Sequence, residues 1–215
     1  GDARPAGRGG EPPEPGLLLG ADTSSVQEAV DAGAVYVDTD GRQKPMLEIL
    51  ANHGFNAIRL RTFVDPGARY GYANPTGEAS HQKAEPYCDK AHTVDIAREI
   101  KRAGMMLLLD FHYSDNWADP GKQIIPEAWR DAASLSELAA ELRSYTSDVV
   151  AALVEADARP DMVQIGNEIT PGMLIHVPSA NPSPAAWGNI DMLTNGVNGS
   201  VSNWSNLATL LREAI

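Results

Sequence analysis

The sequence predicts an α/β fold, the first four βα units of a (β/α)8 TIM barrel. Three observations lead there. Apolar runs of strand length alternate with amphipathic runs of helix length four times over. That alternation is the pattern of a parallel sheet with right-handed crossovers. Polar and aromatic residues gather at the C-terminal end of each apolar run: Asp22, then Arg59 and Arg61, then Asp110 to Asp119, then Asn167 and Glu168. Clustering at that one end marks a barrel active site. A doubly wound sheet, the rival architecture, usually carries a Gly-rich phosphate turn after its first strand. Gly20-Ala-Asp-Thr-Ser-Ser25 does not match one.

The elements follow in order. Residues 1–16 are rich in Gly, Pro, Arg and Glu and read as a disordered tail or linker, so the barrel portion spans 17–215. Leu17 to Ala21 is the first buried strand. Ser25 to Ala32 is a short helix closed by Gly33, followed by an extended segment at 34–37 and a turn at Asp38–Gly41. Pro45 opens a helix that runs to His53 and stops at Gly54. Asn56 to Arg61 is the second strand. Its two arginines stand two residues apart and share a face. They either point inward and meet an anion or point outward into solvent.

Residues 65–87 form a long loop with Tyr70, Tyr72 and Tyr87, each a flat surface for a sugar ring or a packing residue. Asp89 to Ala103 is a helix with Val94, Ala97 and Ile100 on one stripe, closed by Gly104. Met105 to Leu109 is the third strand. It runs into Asp110-Phe-His-Tyr-Ser-Asp-Asn-Trp-Ala-Asp119, three aspartates, a histidine and three aromatics at one strand end. A plain loop seldom holds so many. Ser134-Leu-Ser-Glu137 is a capping box opening a long helix with Leu135, Leu138, Leu142, Tyr145 and Val149 on its apolar face. Met162 to Ile165 is the fourth strand and reads as buried. A Pro- and Asn-rich loop spans 171–202, and a last helix starts at Trp204.

Composition narrows the function. The chain of 215 residues is 43% hydrophobic and 21% charged, with a net charge of -12 and a pI near 4.7. An acidic surface disfavours nucleic acid, because phosphates need Lys and Arg to neutralise them. It suits a neutral ligand such as a sugar. No run of 18 apolar residues predicts a membrane span, and residues 1–16 contain no signal-peptide core. Cys88 is the single cysteine and reads as a small, partly buried hydrophobe.

The chemistry concentrates in Asp161-Met-Val-Gln-Ile-Gly-Asn-Glu-Ile-Thr170. A carboxylate and an amide ending a buried strand are poorly placed for packing and well placed for catalysis. The alternative is that Asn167 and Glu168 only begin a turn. His112 with Asp110 and Asp115 offers a metal-ligand option, without dedicated spacing.

These residues resemble glycoside hydrolase family 53, the arabinogalactan endo-β-1,4-galactanases. The resemblance rests on Gly20-Ala-Asp22-x-Ser24-Ser25, Arg59-Leu-Arg61, Tyr87-Cys-Asp89, Leu107 to Asp115, Trp117 to Gln123 and Met162 to Thr170, and covers residues 17 to 175. Asp110 to Gln123 is its most specific stretch. The resemblance implies a secreted, extracellular enzyme, a monomer when complete, that cleaves β-1,4-galactan or arabinogalactan oligosaccharides without cofactor; some family members carry a calcium site in loops beyond strand four, and no metal site is assigned to this chain. It implies that Glu168 is the general acid/base and that Asn167 binds the sugar 2-hydroxyl. Arg61, with Arg59 the second choice, stands near the nucleophile carboxylate, and His112, Asp115 and Trp117 line the cleft. The family's nucleophile is a glutamate at the end of strand seven. The sequence ends one helix past strand four, so the expectation is an N-terminal half that lacks the nucleophile and is inactive alone, with two open sheet edges. Another member of the same clan acting on a different β-glycan, and a non-catalytic carbohydrate-binding remnant, are the alternatives.

Overall fold

The computed structural model describes residues 16–73, 86–178, 190–192 (backbone only) and 197–215. All but the last residue of the expected tail at 1–16, and parts of the two long loops, lie outside the described residues. Strands β1 (Gly20–Asp22), β2 (Ala57–Thr62), β3 (Met106–Phe111) and β4 (Met162–Ile165) form one parallel sheet in the order β1-β2-β3-β4. Helices α1 (Val26–Asp31) and α2 (Met46–Asn52) lie between β1 and β2 in the chain. Helix α3 (Lys90–Arg102) links β2 to β3, α4 (Leu135–Glu155) links β3 to β4, and α5 (Trp204–Glu213) closes the sequence.

The register explains how a buried core and a polar site share one sheet. Ile58 and Leu60 of β2 and Leu107, Leu109 and Phe111 of β3 alternate with the residues facing the other way, and all five are buried. They pack with Ala97 and Ile100 of α3 and with Leu138, Leu142, Val149 and Leu153 of α4. The opposite face carries Asp22, Arg59, Arg61 and Asp110, with Asp22 paired to Arg59 and Arg61 paired to Asp110. One strand pattern therefore sends hydrocarbon outward to the helices and charge inward.

Local signals set the boundaries. Asp89 caps α3 by accepting from the His92 amide at 2.8 Å. Gly104 ends it at φ +74, a left-handed position that a side chain disfavours. Ser134 caps α4 through the Glu137 amide at 3.2 Å. The reciprocal bond of Glu137 goes to the Ala133 amide at 2.9 Å rather than to Ser134, so the expected capping box is displaced by one residue.

Three expectations need correction. The first strand starts at Gly20, because Asn56 takes up the backbone before it: its side chain accepts from the Leu19 amide and donates to the Leu17 carbonyl, each at 2.9 Å. Strand β4 is not fully buried. It stands at the sheet edge, with Met162 36% and Val163 42% exposed. The stretch expected as loop after β4 holds two short antiparallel pairs, β5 (Gly172–Met173) with β8 (Gly199–Ser200) and β6 (His176–Pro178) with β7 (Ile190–Met192).

Leu142 has no exposed surface and sits where α4 meets the sheet. Leu142→Ala is expected to lower the unfolding free energy by about 2–5 kcal/mol through lost burial and a residual cavity. Urea unfolding checks this; a loss below about 0.5 kcal/mol, the range of surface substitutions, would place Leu142 outside the core.

Candidate active site

Arg59 is the hub of the polar face. From the middle of β2 its Nη1 donates to Asp22 Oδ2, at the end of β1, at 2.5 Å. Its Nη2 donates to Asp110 Oδ2, on β3, and to Asn167 Oδ1, just past β4, the latter at 2.9 Å. One planar cation on β2 thus touches residues from the three other strand regions, a geometry that suits guanidinium and not ammonium. The inward choice for the arginine pair is the observed one, and the anions are Asp22 and Asp110. Burial raises the Asp22 carboxyl, but the Ser24 hydroxyl and amide, Arg59 and the charge of Arg61 outweigh it and hold it below the usual range.

Asp110 is fully buried. Its Oδ2 also lies 3.1 Å from His112 Nε2, while its Oδ1 has no hydrogen-bond partner among the described residues. His112 Nδ1 accepts from the Ala118 amide at 3.0 Å, so a neutral ring carries its proton on Nε2, the side nearest Asp110. Arg61 lies alongside, donating to Ser25 Oγ at 2.6 Å, with its guanidinium 3.9 Å from the centre of the Trp117 ring.

The G-N-E turn after β4 presents the last two groups. Gly166 has φ +79, and a Cβ there would meet Ile169 Cγ2 at 2.6 Å, so only glycine fits. Asn167 is held at both ends of its amide: Oδ1 by Arg59, Nδ2 by the Ala118 carbonyl at 2.7 Å. One N–H of Nδ2 is left for a ligand. Glu168 follows at φ +52, a strained position for a side chain. It is exposed on the rim, and no hydrogen bond or ion pair reaches its carboxylate among the described residues. An open cleft of about 710 Å3 is lined by Asp22, Arg59, Arg61, His112, Trp117, Asn167 and Glu168 among others.

A cleft of this shape at the C-terminal ends of parallel strands matches the resemblance read from the motifs. The family model for glycosyl hydrolase family 53 matches residues 18–215. The chain belongs to glycosyl hydrolase family 53. It is 33% identical over 204 residues to an arabinogalactan endo-beta-1,4-galactanase of Humicola insolens, covering 86% of this chain and 56% of that protein. It is 34% identical over 199 residues to the enzyme of that name from Cellvibrio japonicus, covering 93% and 44%. The Ignisphaera aggregans GH53 catalytic domain superimposes with a TM-score of 0.71 at 35% identity, covering 93% of this chain and 48% of that one. The chain spans about half the length of the curated relatives it matches.

Not every residue expected to line the family 53 cleft does so. Asp115 stands behind it. Its carboxylate accepts from the amides of Asp65 at 3.0 Å and Glu127 at 2.8 Å, pinning two loops together. Asp110, His112 and Asp115 therefore do not converge on a shared point, and the metal-ligand option loses its geometry. Trp117 lines the cleft, but Arg61 covers one face of its indole, while Phe63, Tyr72 and His112 meet it edge-on. Arg59, the second choice from sequence, is the arginine that reaches Asn167.

The loop tyrosines are packing residues. Tyr72 and Tyr87 are buried against Phe63 and Cys88, and their hydroxyls donate to Glu28 and Asp31 of α1 at 2.5 and 2.6 Å. Tyr70 lies beneath Arg69 and Arg130. Cys88 is buried as expected, and burial pushes its thiol up to about 11. Tyr36, which drew no attention in sequence, does line the cleft. It stands alone in an irregular segment, where no periodicity could have singled it out.

Asp115 makes a pH prediction. Burial is the largest influence on its carboxyl and pushes it up to about 7, against the two amides that favour the anion. Between pH 4 and 7 the unfolded chain has released this proton and the folded chain still holds it. Its contribution to stability therefore falls as pH rises through that window, by up to about 1.4 kcal/mol per unit. Urea unfolding of wild type and Asp115→Asn from pH 4.5 to 7.5 should show the wild type losing stability relative to the variant. A gap that stays constant or widens in favour of the wild type would mean an ionised Asp115 throughout.

Proposed function

We propose that this chain carries the acid/base half of an endo-acting, retaining hydrolase of β-1,4-galactan, as found in the arabinogalactan side chains of pectin. The observation that carries the reading is Glu168: an exposed, unpaired carboxylate on the rim of an open cleft, beside an Asn167 fixed by Arg59 and Ala118. The galactanase names of the relatives support the substrate. An open cleft admits the interior of a polymer, which supports endo action. A polymeric substrate also supports an extracellular enzyme.

Retaining hydrolysis needs two carboxyls roughly 5–5.5 Å apart, one to donate a proton and one to attack the sugar. Besides Glu168, the carboxylates at the cleft among the described residues are Asp22 and Asp119, which line it, with Asp110 buried beside Arg59. Asp22 is committed to Arg59 and Ser24, Asp119 to Lys122 and the Gly121 amide, and Asp110 to Arg59 and His112. On this reading none of the three attacks an anomeric carbon. The nucleophile is on this reading a glutamate of strand seven in the complete barrel, outside this chain. The apolar edges at Leu17–Leu19 and at Met162 and Val163 are consistent with further barrel strands against them. In the first step Glu168 protonates the departing glycosidic oxygen. In the second its carboxylate takes a proton from the water that releases the sugar from the nucleophile. Asn167 holds the 2-hydroxyl with its remaining N–H.

The test is made in the complete barrel. Glu168→Gln keeps size and removes the proton relay, so galactan hydrolysis should fall by about 10²–10⁴-fold. An aryl galactoside with a good leaving group needs little protonation, so its first step should survive and the intermediate accumulate. Azide should restore turnover of that substrate in Glu168→Ala and yield the β-galactosyl azide. Equal loss on both substrates with no azide rescue would remove Glu168 from the chemistry and leave it a support of the strand end.

A further inference from the structure

The Asp110–Gln123 stretch ends in a residue the proposed mechanism does not use. Gln123 is 2% exposed. Its Nε2 lies 2.8 Å from the Asn167 carbonyl oxygen, 3.1 Å from that of Asp119 and 3.4 Å from that of Glu168. The amide has two N–H groups, which serve the two short contacts and leave the third long and shared. Three carbonyl acceptors fix which end of the amide is nitrogen. The backbone of Gln123 is anchored in turn. Its N–H donates to His176 Nδ1 at 2.8 Å, and its carbonyl accepts from Ile175 and His176 at 3.0 and 2.9 Å.

This arrangement acts on one dihedral. The Asn167 carbonyl belongs to the peptide plane between Asn167 and Glu168, and rotation of that plane changes φ of Glu168. That φ is +52, a conformation that persists for a side chain only when its surroundings enforce it. Gln123 is the side chain that grips the plane from outside the turn. The same amide ties in the Asp119–Lys122 turn, whose two ends also line the cleft.

We propose that Gln123 is a positioning residue of the hydrolytic site: its buried amide clamps the 167–168 peptide and thereby aims Glu168 at the cleft. The proposal rests on the acid/base reading of Glu168. Proton transfer depends steeply on placement, and a displacement of about 1 Å can cost on the order of 10²-fold. The clamp therefore governs the acid step more than substrate binding.

Two variants in the complete barrel test it. Gln123→Met keeps length and loses both donors. Gln123→Glu keeps shape and can donate only when protonated. The expected result for Gln123→Met is cooperative unfolding, a KM for galactan within about twofold of wild type, and kcat lowered by about 10–100-fold. The burst on an activated aryl galactoside, which needs no acid, should stay intact. A crystal structure should show Glu168 out of its left-handed conformation. Gln123→Glu should recover towards wild type as pH falls and the new carboxyl gains its proton, and it carries the comparison if Gln123→Met does not fold. Wild-type kcat, an unchanged φ at Glu168, or equal loss on both substrates in step with the folded fraction would overturn the clamp. Glu168→Gln run in parallel separates the two claims. A slow Glu168→Gln beside a wild-type Gln123→Met overturns the clamp alone; a fully active Glu168→Gln overturns the acid/base reading and the clamp with it.

Discussion

A single guanidinium holds the strand ends together. Arg59 is a cation on the inner face of the sheet, where desolvation is costly, and two carboxylates and an amide compensate it. Because Asp22, Asp110 and Asn167 come from or just follow three other strands, their mutual positions depend on that one fork. Asp110 shows how closely the compensation is set: it is fully buried, and its Oδ1 has no hydrogen-bond partner among the described residues. Losing the arginine would leave this buried carboxylate with His112 but without its cation, a change of the kind that costs about 3–5 kcal/mol.

The rest of the site follows from that constraint. The two carboxylates that neutralise Arg59 are unavailable for covalent chemistry, and Asp119 is paired with Lys122, so Glu168 is left as the exposed acid without a partner among the described residues. Asn167 cannot swing, because Arg59 holds its oxygen and Ala118 one of its N–H groups. The loops are pinned separately, by Asp115 between residues 65 and 127 and by Gln123 between the 119–122 turn and the end of β4. Rigid loops over a rigid strand end preorganise a site whose reaction depends on proton placement.

Much of this was legible in the sequence, and the failures have physical causes. Strands β2 and β3 and helices α3 and α4 were readable because long apolar runs and capped amphipathic segments carry period and boundary together. The stretches at 110–123 and 161–170 stood out because polar groups at the end of a buried strand have no packing reason to be there. The position of β4 at the edge was not readable, since an apolar run has the same pattern whether or not a neighbour covers it. The pairs β5–β8 and β6–β7 are two and three residues long, too short for alternation to register. Asp115 was expected in the cleft, and the tyrosines stayed open between sugar contact and packing, for one reason: composition shows that a loop is rich in chemistry, while only backbone geometry shows which side chains turn back to hold the loop. That Arg59 reaches residues of three other strand ends was not readable either, since no local pattern encodes reach across a sheet.

The central claim is that the cleft built on Arg59 places a galactan linkage against Glu168 and Asn167. The direct measurement is a crystal structure of the complete barrel, as the slow Glu168→Gln variant, with a β-1,4-galacto-oligosaccharide bound. The account predicts a glycosidic oxygen within hydrogen-bond reach, about 2.6–3.2 Å, of the side chain at position 168. It also predicts the neighbouring 2-hydroxyl on the Asn167 amide. An oligosaccharide bound elsewhere on the surface, or across the cleft with every glycosidic oxygen out of reach of position 168, would contradict it.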